Sequence, residues 1–192
     1  WGYEDHNGNV VIDYKFDLAR PFVNNRAIVL LNDKYQIIDE TGRSITKQYK
    51  DLDRVNDKYF LGGEYGEREL IDLQGKVIAD SLNSAHQYII DTNYVVLEKR
   101  WRGEKGYNII DNNGKQLLPI WVNAVGVNIF RERFFGEELG PGEKSKAFPV
   151  SFDNNGKTKY AYVSDKMKLI TDTIFDDGVS MRGGYGYLSK ET

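Results

Sequence analysis

The chain has 192 residues and no cysteine. That absence excludes disulfides, thiolate zinc sites, iron–sulfur clusters and a cysteine nucleophile. No apolar run approaches the roughly 20 residues that a bilayer-spanning helix needs. An excess of one charge is missing too. The 26 Lys and Arg against 29 Asp and Glu leave a net charge of -3, with no long basic stripe of the kind a nucleic-acid partner requires. No 3.6-residue hydrophobic period persists over three turns, so helices are not expected. Only 4 prolines occur, against 19 glycines and 13 tyrosines. That balance of turn formers and β-favouring side chains points to strands joined by tight turns. With 40% hydrophobic and 29% charged residues, the chain is rich enough in apolar side chains to exclude a disordered protein.

Five times an Asp is followed three residues later by a Gly: Asp5-Gly8, Asp39-Gly42, Asp72-Gly75, Asp111-Gly114 and Asp153-Gly156. In four of these, apolar pairs flank the turn, which marks an internal repeat. Units align at starts near 1, 35, 68, 107 and 160, with a partial unit from 185. The third position is apolar or aromatic in all six: Tyr3, Ile37, Leu70, Ile109, Tyr162 and Tyr187. The fourth is apolar in all but Glu4. Strand side chains alternate faces, so both faces of the opening strand are expected to be covered.

Asp-x-x-Gly between two apolar runs is hairpin chemistry. The carboxylate accepts backbone NH groups just ahead of it, and Gly supplies the positive φ. Met167 stands at the Gly position of the fifth unit, so that turn must be built differently. A third strand is expected in each unit, as at Ala27-Ile28-Val29-Leu30-Leu31, running through a turn into the next unit. Gly183-Gly184 suits such a turn before Tyr185, and a longer one is expected at 153–157. One unit has too few apolar side chains to offset the entropy of ordering it, so the units must stack. The expected fold is all-β: tandem antiparallel β-hairpin repeats in an open twisted array, within a single domain over 1–192. A closed β-propeller is the alternative.

Two irregularities stand out. An insertion at about 131–145 is rich in Glu and Gly, and Glu98 to Lys105 reads as an enlarged turn. Insertions in repeats map to loops, often on a binding face.

Trp1-Gly2-Tyr3-x-Asp5-x-x-Gly8-x-Val10-Val11-Ile12 resembles the WG β-repeat family of bacterial proteins. Tyr14-x-Phe16-Asp17, Pro21-Phe22, Tyr49-Lys50-Asp51 and Ile174-Phe175-Asp176 fit it as well. The resemblance is sharp in the first unit, while units two to four have lost the Trp-Gly pair. It implies tandem β-rich repeats in exported or envelope-associated proteins with interaction roles, and it carries no catalytic motif. The chain opens at Trp1, inside a unit, and reads as a trimmed fragment whose signal peptide has been removed. An extracytoplasmic location is therefore expected.

Candidate sites are few. The Asp turns offer calcium too few oxygens, and Arg43, Lys76, Lys115 and Lys157 follow four of the glycines. Asp5, Gly8, Asp39, Gly42, Asp72, Gly75, Asp111 and Gly114 are read as structural. His6 and His86 have no spaced partners, so neither a metal site nor a cofactor is expected. Trp101 between Arg100 and Arg102 is the candidate ligand contact, because an exposed ring in a turn gains little without a partner. Glu137, Glu138 and Glu143 offer paired carboxylates for sugar cleavage. The leading functional expectation is a non-catalytic binding or scaffold module that recognises a protein or glycan through its loops. A carbohydrate-active enzyme using the 131–145 insertion is the alternative, and a spacer between other domains the third.

Overall fold

The computed structural model describes residues 1–87, 93–101, 104–122, 147–154, 156–164, 168–172, 175–178 and 188–189. Among them there is no helix, and every strand pair whose register is described is antiparallel. No sheet closes on itself as a barrel. The all-β expectation therefore holds. The chain forms two compact units, Trp1–Ala85 and His86–Thr192.

In the first unit the strands are β1 (Tyr3–Glu4), β2 (Val10–Ile12), β3 (Leu18–Ala19), β4 (Ala27–Leu31), β5 (Lys34–Ile38), β6 (Leu52–Arg54), β7 (Tyr59–Gly62), β8 (Arg68–Asp72) and β9 (Val77–Leu82). They form the sheets β1-β2, β3-β4-β5 and β6-β7-β8-β9. Bridges Ile38↔Ser44 and Tyr35↔Tyr49 add a fourth, broken strand beside β5. Each full sheet thus takes two strands from the end of one sequence unit and two from the start of the next. The seam is a tight turn. Leu31 pairs with Lys34 across Asn32 and Asp33, at φ 52° and 60°. Asn and Asp tolerate that left-handed region, which most residues avoid.

Covering both faces of β4 and β5 explains the apolar pairs. Ala27, Val29 and Ile38 pack with Ile12, Phe16 and Tyr3 of the preceding sheet. Ile28 and Ile37 pack the other way, with Tyr49, Leu52, Phe60 and Ile71. Polar contacts repeat the stacking. Arg20 pairs with Asp53 at 2.9 Å, and Asn24 Nδ2 donates to the Asp57 carbonyl at 2.9 Å. Arg54 Nη2 donates to the Arg26 carbonyl at 2.9 Å, while its guanidinium lies 4.4 Å from the Phe60 ring centroid.

The later strands are β10 (Ser84–Gln87), β11 (Tyr94–Trp101), β12 (Glu104–Asp111), β13 (Ala147–Asn154), β14 (Lys157–Ser164), β15 (Asp177–Gly178) and β16 (Leu188–Ser189). They group as β10-β11-β12, β13-β14 and β15-β16. Val96, Ile109, Leu118 and Val122 form one core with Val150, Phe152, Ala161 and Val163.

Three sequence expectations change. Four of the five units show an additional short strand, β3, β6, β10 or β15, after their first turn. Leu188–Ser189 pairs with Asp177–Gly178 as Val29–Leu30 pairs with Leu18–Ala19. Leu188–Ser189 therefore holds, in the fifth unit, the place that β4 holds in the first. The Asp153-Gly156 turn is tight, not long, because Asn154 pairs directly with Lys157.

Candidate functional site

The turns account for the repeated Asp residues. Asp5 Oδ1 accepts from the Asn7 and Asn9 amides at 2.8 and 2.9 Å. Asp39, Asp72 and Asp111 repeat the pattern with the residues two and four ahead, at 2.8–3.1 Å. Gly8, Gly42, Gly75 and Gly114 take φ from 77° to 83°. In the fifth unit Ser164 takes the Asp role, its Oγ accepting from the Lys168 amide at 3.1 Å. Hydrogen bonding holds the Asp5 and Asp39 carboxyls below the usual carboxylate range, chiefly from Asn9 and Thr41 respectively. These carboxylates are engaged in shaping the backbone. Among the described residues no three His, Cys, Asp or Glu side chains gather where a metal ion would sit.

Gly2 explains half of the Trp-Gly pair. A Cβ there would stand 2.5 Å from the Ile12 carbonyl oxygen and 2.8 Å from the Asp13 carbonyl carbon. Trp1 itself is exposed, and its ammonium donates to the Phe16 carbonyl. His6 is exposed in its turn. His86 lies in β10.

The expected enlarged turn at Glu98–Lys105 is a correction. Strands β11 and β12 run eight residues each, against five in β4 and β5. They stay paired to the end, with Arg100 opposite Lys105 and Trp101 opposite Glu104. The continuous ladder extends the hairpin as a ribbon where an enlarged turn was expected. Trp101 is thus the last residue of a strand. Arg102 lies outside the described residues, as does the 131–145 insertion with Glu137, Glu138 and Glu143.

Charge on this ribbon is uneven. Arg100 and Lys105 are both exposed and face each other across the strands. Lys105 Nζ reaches Glu98 Oε1 at 3.2 Å, and this hydrogen bond raises the lysine pKa, with Arg100 opposing it. Lys99 Nζ sits 4.0 Å from the Trp121 ring centroid, and a Cβ on Gly106 would lie 3.5 Å from the Trp121 Cβ. Lys99, Trp121 and the Glu98–Lys105 pair were not foreseen from sequence. Their signal was present only as a cluster of charge, because the pairing depends on cross-strand register.

The model of the WG containing repeat family matches residues 1–35, which span the first unit. No curated protein matches the chain. A solved structure titled "Crystal structure of the eukaryotic initiation factor" aligns at 13% identity and a TM-score of 0.38. It covers 85% of this chain and 44% of that one, so the chain spans less than half of its length.

Proposed function

We propose that this chain is a non-catalytic binding or scaffold module of an exported bacterial protein, recognising a protein or glycan through its projecting hairpins. The observation that carries this reading is the β11–β12 ribbon. Its strands outrun those of β4 and β5 and carry the exposed Arg100, followed by Trp101, to the end of β11. The repeated Asp carboxylates are occupied by backbone amides, which leaves recognition to hairpin ends. Tryptophan and arginine are the side chains most enriched where binding energy concentrates. The WG repeat in residues 1–35 supports a repeat module, and the exported bacterial setting follows from the family resemblance.

Screening the chain against immobilised glycans and envelope proteins tests the reading. Trp101→Ala should weaken capture by about tenfold, the scale of an interface residue worth more than 1 kcal/mol, without lowering Tm. A Tm loss of about 5 °C or more would mark the side chain as core. Undiminished capture would remove the ribbon from the interface.

A further inference from the structure

Arg100 and Lys105 hold directly opposed positions in an antiparallel pair. Opposed positions bring Cβ atoms within about 4.5–5.5 Å, where like charges repel. The cost is only partly relieved, because Glu98 is committed to Lys105 and is itself mostly covered, 13% exposed against 47% for the lysine. Lys99 is drawn to the Trp121 ring. Among the described residues Arg100 has no carboxylate partner. The segment 98–105 holds Lys99, Arg100, Arg102 and Lys105 against Glu98 and Glu104, a local charge of +2 in a chain of net charge -3. A repelling pair kept at the end of an extended ribbon calls for an external anion.

Resting on the reading of the ribbon as the recognition surface, we infer that it binds a carboxylated polysaccharide, one sugar carboxylate bridging Arg100 and Lys105. The planar guanidinium takes a carboxylate through two parallel N–H donors, and the ammonium adds a point charge beside it. A uronate carboxylate is fixed to its ring, whereas an acidic peptide must freeze flexible side chains to present one. The uronic acid thus arrives preorganised. Duplex nucleic acid is disfavoured because tight phosphate binding draws on about 6–10 cations, more than this segment holds.

The full chain is titrated with polygalacturonate, dextran, polyglutamate and single-stranded DNA. Polygalacturonate should bind best, with affinity falling about tenfold between about 50 and 500 mM NaCl as screening grows. Arg100→Ala should weaken it about tenfold, while Arg100→Lys, which keeps the charge but loses the fork, should fall between. Glu98→Gln should tighten binding by freeing Lys105. Failure to bind polygalacturonate, equal binding of dextran, tighter binding of polyglutamate or DNA, or indifference to Arg100→Ala would each overturn the inference. Trp101-dependent capture of dextran or of a protein, insensitive to Arg100→Ala, would overturn the charge assignment yet leave the recognition module standing. Indifference of every ligand to both substitutions would end both.

Discussion

Gly8, Gly42, Gly75 and Gly114 share nearly one backbone angle, yet their surroundings differ. A Cβ on Gly8 would meet nothing within 4 Å, whereas on Gly75 it would run into the Ile45 carbonyl oxygen of the preceding turn. The two sites separate conformational strain from steric conflict. Gly8→Ala should cost about 1–2 kcal/mol, the penalty of a left-handed alanine. Gly75→Ala should cost about 1–3 kcal/mol more, because backbone cannot yield as a side chain does. Urea unfolding of the two variants measures the difference, and equal losses would mean that the turns do not pack as described. The turn itself was readable from sequence, since Asp39 bonds to residues two, three and four ahead. The packing of Gly75 on Ile45 was not, because it joins units 30 residues apart.

Among elements, the clearest polar commitment is Asn108 in β12. It is fully buried, and its Nδ2 donates to the Leu118 and Ile120 carbonyls at 3.1 and 2.9 Å. Its Oδ1 accepts from the Ile109 amide at 2.7 Å. The bonds tie the stretch after the Asp111 turn back to the strand before it. Asn108→Ala should cost about 2–3 kcal/mol by orphaning buried backbone groups. Asn108→Asp should cost more at neutral pH, since it buries a charge facing two carbonyls. Thermal unfolding with near-ultraviolet spectra distinguishes these losses. Recovery of wild-type stability by either variant would contradict the burial. The sequence marked this second repeat position only as small or polar, which is also how Gln36 and Glu69 read. Glu69 is instead partly exposed and bonds Lys47 and Tyr49. One repeat position therefore serves different partners, and the alignment alone does not separate them.

For the whole molecule, two of the Asp turns link stability to pH. Asp5 and Asp39 have folded-state pKa values below the ordinary 3.8, so each stabilises the fold above that pH. The contribution disappears as pH falls through the lower folded value, when the native carboxylates finally protonate. Stability should hold from neutrality down to about pH 4 and drop below it. Asp39→Asn keeps an acceptor without the titrating charge and should flatten part of that fall. Chemical unfolding across the pH range checks it, and an unchanged slope in the variant would remove the turn from the acid response.

Repeat spacing, strand character and turn placement were written in the order of residues because hairpin chemistry is local. A carboxylate and a glycine three positions apart fold the same way in each of these turns. The grouping into sheets that straddle the sequence units needed the folded chain. So did the ribbon at 94–111 and the confrontation of Arg100 with Lys105. Those depend on which strands find each other and in what register, and a shift of one residue would send every side chain to the other face.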